Sequence, residues 1–157
     1  MSTVSVNEQV EVISDFLEGL LDVFGLEGEI GSEEIETDIV EISIDGDDLG
    51  LLIGPKGQTL SALHELSRTV AQRKLTGSHD GRVRLDVSGY RQRRREALER
   101  FALTVAEDVR TAGVQKVLEP MSPPDRKVIH DALNEVDGVS TASEGEEPRR
   151  RVVVLPA

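Results

Sequence analysis

A chain of 157 residues, 38% apolar and 31% charged, has room for one domain or two small ones and the composition of a soluble globular protein. No apolar run approaches the ~18 residues of a membrane span, and the absence of cysteine excludes a disulfide framework and thiolate metal sites. The net charge of −12 by itself speaks against a polyanionic partner, but its distribution reverses the inference: residues 1–50 hold 15 acids and no Lys or Arg, whereas residues 51–157 hold 18 Lys and Arg against 15 acids.

Ser5 and Glu8 have capping-box spacing, and Val10, Ile13, Leu17, Leu20, Leu21 and Phe24 follow at three- and four-residue steps with Phe16 beside them, which predicts a helix ending at Gly25. Residues 27–36 read as acidic and irregular, with weak strand potential near Ile30. Val40, Ile42 and Ile44 alternate with Glu41 and Ser43 as a half-buried strand. Residues 45–48 form a turn whose aspartates are placed to cap a short helix. That helix ends at Gly54, Pro55, Lys56 and Gly57, a tight basic turn opening a longer helix over about 58–75, with Leu60, Leu63, Leu66 and Val70 inward. A polar loop over 76–81 contains His79, read as solvated. Val83, Leu85 and Val87 then mark a strand over 82–88, giving the order α-β-β-α-α-β.

Gly89 reads as a joint between a first domain, 1–88, and a second, 89–157. A helix over 90–112 carries Leu98, Phe101, Ala102, Val105 and Val109 at helical spacing and stops at Gly113. Arg91, Arg93, Arg94 and Arg95 crowd its start, where the macrodipole disfavours cations by ~0.3–1 kcal/mol each. They either pair with acids of the first fifty residues or meet phosphates. A short strand at 114–118 precedes a helix from Ser122 (N-cap), Pro123 and Asp125 to about Val136. Its inward stripe is Ile129, Ala132, Leu133 and Val136, and Arg126 and His130 share an exposed flank. Two antiparallel strands, 139–144 and 150–155, close the chain. Arg149, Arg150 and Arg151 lead into the last, where charge either guards a sheet edge or contacts a ligand.

The turn at 54–57 is the stretch with chemistry in it. Two glycines let the main chain approach an anion, helix N-termini supply donors, and Lys56 adds charge at the tip: a GxxG loop that clamps single-stranded backbone. No Walker phosphate loop is present. Three scattered histidines lack metal-ligand spacing, and no nucleophilic triad or paired carboxylate appears, so neither enzyme activity nor metal nor cofactor is expected. Phe16, Phe24, Tyr90 and Phe101 are too few for base-stacking platforms, whereas an aliphatic groove beside a GxxG loop needs none.

The stretch 50–60 (GLLIGPKGQTL) resembles the K-homology (KH) domain of bacterial Jag (KhpB) proteins. The stretch 85–96 (LDVSGYRQRRRE) resembles their interdomain joint. Residues 118–130 (LEPMSPPDRKVIH) look like the Arg-x-x-x-His core of the R-three-H domain, and 141–154 (TASEGEEPRRRVVV) like its closing hairpin. The resemblance spans about 35–157 and has no counterpart to the extra N-terminal domain and basic linker of many Jag proteins. It implies an α+β chain of two small domains, KH-like and then R-three-H-like, the latter with two helices on a three-stranded sheet. It also implies a cytoplasmic post-transcriptional regulator or RNA chaperone that binds single-stranded RNA, with single-stranded DNA left open. Gly54, Pro55, Lys56 and Gly57 would form the clamp and Arg126 and His130 the second contact, with Arg91, Arg94 and Arg150 as further candidates. A small protein with a single KH domain is the implied partner; oligomeric state stays open. The alternative is a protein-interaction adaptor whose acidic first half docks a basic partner, and a nucleotide hydrolase is the third reading.

Overall fold

The computed structural model describes residues 2–157, in two compact units that meet in sequence between Arg91 and Gln92. The first unit runs β1 (Thr3–Val4), α1 (Val6–Phe24), β2 (Glu29–Glu36), β3 (Ile39–Asp45), two 3-10 turns (Gly50–Leu52 and Pro55–Gly57), α2 (Gln58–Lys74), β4 (Ser78–His79) and β5 (Arg82–Val87). The predicted α-β-β-α-α-β order stands, with the first of the paired helices reduced to 3-10 turns. None of the described helices is long and apolar enough to cross a membrane.

α1 starts where the capping box places it, Ser5 Oγ accepting from the Glu8 N–H and the Glu8 carboxylate accepting from the Ser5 N–H. β3 is the central strand of a β2-β3-β5 sheet, antiparallel to β2 and parallel to β5. A parallel pair needs a crossover, which α2 supplies. Ile42 and Ile44 of β3 meet Ile13, Leu17 and Leu21 of α1 and Leu60, Leu63 and Ala71 of α2 in one core, and Val40 of the same strand is also buried. Each such aliphatic side chain stabilises by ~1.5–3 kcal/mol relative to exposure.

At several places the local structure differs from the sequence pattern. Residues 29–36 are not irregular but a strand of eight residues, because β3 offers a full ladder of partners to a segment whose own acidic pattern is weak. The aspartates at 45–48 cap nothing: Leu49 holds the cap position of the 3-10 turn, without a side-chain bond. The 76–81 loop contains β4, paired with β1, and His79 is half-buried with Nε2 bonded to the Leu75 carbonyl. Leu66 is 49% exposed, since the buried stripe of α2 runs through Leu60, Leu63, Ser67 and Ala71.

The second unit comprises most of α3 (Tyr90–Ala112), then β6 (Lys116–Val117), α4 (Pro123–Leu133), β7 (Val139–Glu144) and β8 (Arg151–Pro156). Leu98, Ala102, Val105 and Val109 of α3 share a core with Ile129 and Leu133 of α4 and Val152 and Val154 of β8. The sheet order is β6-β8-β7, antiparallel throughout. The strand after Arg149–Arg151 is therefore central rather than at an edge, which explains its apolar run Val152–Leu155. α4 ends at Leu133, short of Val136, and Ser122 has the extended backbone of an N-cap but makes no side-chain cap bond.

Candidate nucleic-acid interface

The loop at 54–57 has a conformation that its glycines make accessible. Gly54 sits at φ 71°, ψ 178° and Gly57 at φ 73°, ψ 17°, with Lys56 also left-handed at φ 54°. A Cβ at Gly54 would overlap the Thr59 side chain, and one at Gly57 would lie 2.6 Å from Cε1 of Tyr90. The loop thus rests on the Tyr90 ring and is closed by bonds from the Gly57 N–H to the Gly54 carbonyl (3.2 Å) and from the Leu60 N–H to the Ile53 carbonyl (3.1 Å). Pro55 and Lys56 stand exposed at the tip. Because the Gln58 and Leu60 N–H groups are taken by loop carbonyls, the attraction for an anion here comes from Lys56 and the positive end of α2 more than from a row of open donors.

A groove of about 640 Å³ lies between α2 and β5. Its apolar lining includes Ile13, Ala71, Val83 and Leu85, and its polar lining carries Arg68, Arg82, Arg84, Arg91, His64 and His79 against one acid, Glu65. Arg84 is also paired with Glu41 at 2.8 Å. Burial, reinforced by the Arg91 charge, holds His64 below the ordinary imidazole range. Of these groups the sequence singles out Arg91 as a site residue and leaves His64 between a groove liner and an amphipathic filler. A signal for the rest existed: Arg68 follows His64 by four on one helix face, and Arg82 and Arg84 alternate on one strand.

Arg91 is anchored twice, its N–H donating to Asp86 Oδ1 (3.3 Å) and its Nε to the Leu85 carbonyl (3.0 Å). Asp86 is 7% exposed, and that burial raises its pKa despite the bonds from the Arg91 and Val87 N–H groups. This carboxylate also meets the helix start that four arginines crowd. Arg94 pairs at 3.0 Å with Asp125 of the second unit. The acid paired with Arg94 thus lies outside the first fifty residues.

In the second unit Arg126 is not on an exposed flank. It is 8% exposed, and its guanidinium donates to the Met121 carbonyl and the Glu147 carboxylate, with the Arg150 carbonyl at 3.5 Å. Neighbouring His130 is half-buried, Nδ1 2.6 Å from Thr141 Oγ1 and Nε2 2.8 Å from Ser143 Oγ, both on β7. Arg150 donates back to the Gly145 carbonyl at 2.7 Å. Arg126 therefore fastens the hairpin turn that carries Arg149–Arg151, while His130 marks the sheet face beside it.

Residues 10–87 match the model of the KhpA/KhpB KH domain and residues 96–156 that of the R-three-H domain, in that order. The chain belongs to the KhpB (Jag) family. Relatives bearing the name RNA-binding protein KhpB include one from Clostridium symbiosum, 40% identical over 89% of this chain and 63% of that protein. One from Lactiplantibacillus plantarum is 34% identical over 92% of this chain and 44% of its own length. One from Bacillus subtilis is 36% identical over 73% and 55%. The chain thus spans from under half to about two thirds of the length of these family members. The GxxG loop and groove lie inside the KH match and Arg126 and His130 inside the R-three-H match, whereas Arg91 and Arg94 fall between the two.

Proposed function

We propose that this chain binds single-stranded RNA and acts as a cytoplasmic post-transcriptional regulator or RNA chaperone. The GxxG loop would hold the backbone and the α2–β5 groove the bases. The observation that carries this reading is the concentration of four arginines and two histidines against one glutamate along one groove, in a chain of net charge −12. Charge so segregated draws a polyanion to one face, and half-buried Val83 gives bases an apolar surface to rest on. Arg150 and His130 supply the second contact, with Arg126 holding their turn. A small single-KH-domain protein is the protein partner this reading carries, the matching KH model being one for KhpA and KhpB together.

The test is the double variant Pro55→Asp with Lys56→Asp. Aspartate tolerates the left-handed backbone at position 56, so the loop keeps its shape while repelling phosphate. Unchanged melting with loss of binding to a labelled single-stranded RNA is the expected result. Unchanged melting with parental affinity removes the clamp from the reading.

A further inference from the structure

We propose that Arg91 makes the groove selective for bases presenting two adjacent hydrogen-bond acceptors, guanine through O6 and N7 or cytosine through O2 and N3. The proposal rests on the RNA-binding reading and deepens it. Arg91 lies beyond the residues matched by the KH model, yet it lines the groove from the first turn of α3. Its backbone N–H is tied to Asp86 Oδ1, fixing the start of α3, and its side-chain Nε is tied to the Leu85 carbonyl, so the planar guanidinium is held with one edge committed. The terminal Nη pair is the edge left to fork onto a ligand.

The surroundings favour a base over a phosphate. A strand clamped at the exposed Pro55–Lys56 tip would keep its backbone there and turn its bases into the groove, beside half-buried Val83 and the Leu85 carbonyl that holds the guanidinium. Burial and the Arg91 charge hold His64 below the ordinary imidazole range, so that ring adds no further full charge beside the guanidinium. Adenine always sets its amino donor beside N1 or N7, and uracil separates O2 and O4 by the N3 proton. Both oppose donor to donor against a guanidinium.

The experiment uses the full chain and fluorescein-labelled uridine decamers, each carrying G, C or A at one scanned position. The parent should prefer G or C over A by ~10-fold or more at one register, the discrimination of a good bidentate pair. Arg91→Lys keeps the charge but loses the fork, so it should level that preference to within ~2-fold with the salt slope retained. With the parent protein, 7-deazaguanine in place of guanine or 3-deazacytosine in place of cytosine should reproduce the loss. Whichever does so identifies the base, and this arm needs no variant to fold. A lysine variant that weakens all decamers equally with the preference intact, or deaza bases bound as tightly as their parents, overturns the proposal. Failure of the parent to bind any decamer overturns instead the RNA-binding reading beneath it.

Discussion

Replacing Arg126 by alanine should destabilise the second unit substantially, and the magnitude follows from its contacts. The bond from the guanidinium to the Met121 carbonyl has a charged donor that is 8% exposed, a kind of interaction that contributes ~1.5–3 kcal/mol. The Glu147 partner is 52% exposed, so solvent screening limits that ion pair to ~0.2–1 kcal/mol. The Arg150 carbonyl at 3.5 Å is too far to count. The sum is about 2–4 kcal/mol, equivalent in a unit of this size to a fall of very roughly 10–25 °C in Tm. Arg126→Lys should recover little, because one ammonium cannot reproduce the fork, whereas Glu147→Gln should shift stability by less than ~1 kcal/mol. Chemical denaturation of the full chain, followed by hydrogen exchange at β8 amides, separates this unit from the first. Parental stability in Arg126→Ala would show that the guanidinium is not a fastener and would return it to the list of direct RNA contacts.

Three further outcomes are expected. Because His64 has a lowered folded-state pKa, the unfolded chain takes up the proton first, so stability of the first unit should fall as pH drops through the ordinary value of 6.5, and His64→Gln should flatten that dependence in a pH series of denaturation curves. The negative field of bound RNA would raise the same pKa, so RNA affinity should rise as pH falls through that window in the parent and not in the variant. Gly57→Ala should cost ~1–2 kcal/mol for the left-handed backbone plus the displacement of Tyr90, and a double-mutant cycle with Tyr90→Ala should recover the second part. Neutralising the exposed Glu33, Glu34 and Glu36 of β2 should raise affinity for every RNA at low salt and leave it unchanged at high salt, read by anisotropy titrations.

The sequence and the structure agree where the signal is local. The three- and four-residue apolar steps of α1 bury Ile13, Leu17 and Leu21, and the alternation of Val40, Ile42 and Ile44 gives three core residues of one strand. Where a side chain's environment depends on distant residues, the two diverge. Arg126 and His130 have the spacing of a shared helix flank, but spacing says nothing of what lies opposite. Met121, Glu147 and Arg150 enclose the arginine. Likewise a charged triplet before an apolar strand suggests a guarded edge, until β6 and β7 pair on both sides of β8.

The sequence by itself determined the glycine-flanked basic turn, the helices and strands that bracket it, and the segregation of acid into the first fifty residues. All three are properties of neighbouring residues, written in backbone freedom, hydrophobic period and charge count. Only the tertiary structure decided that residues 29–36 are a strand, that Arg94 is taken by Asp125, and that Arg68, Arg82, Arg84 and Arg91 line one groove. The physical reason is the same in each case. A polar or charged group resists burial until the fold brings it a partner, and that partner comes from another element whose position no local pattern records.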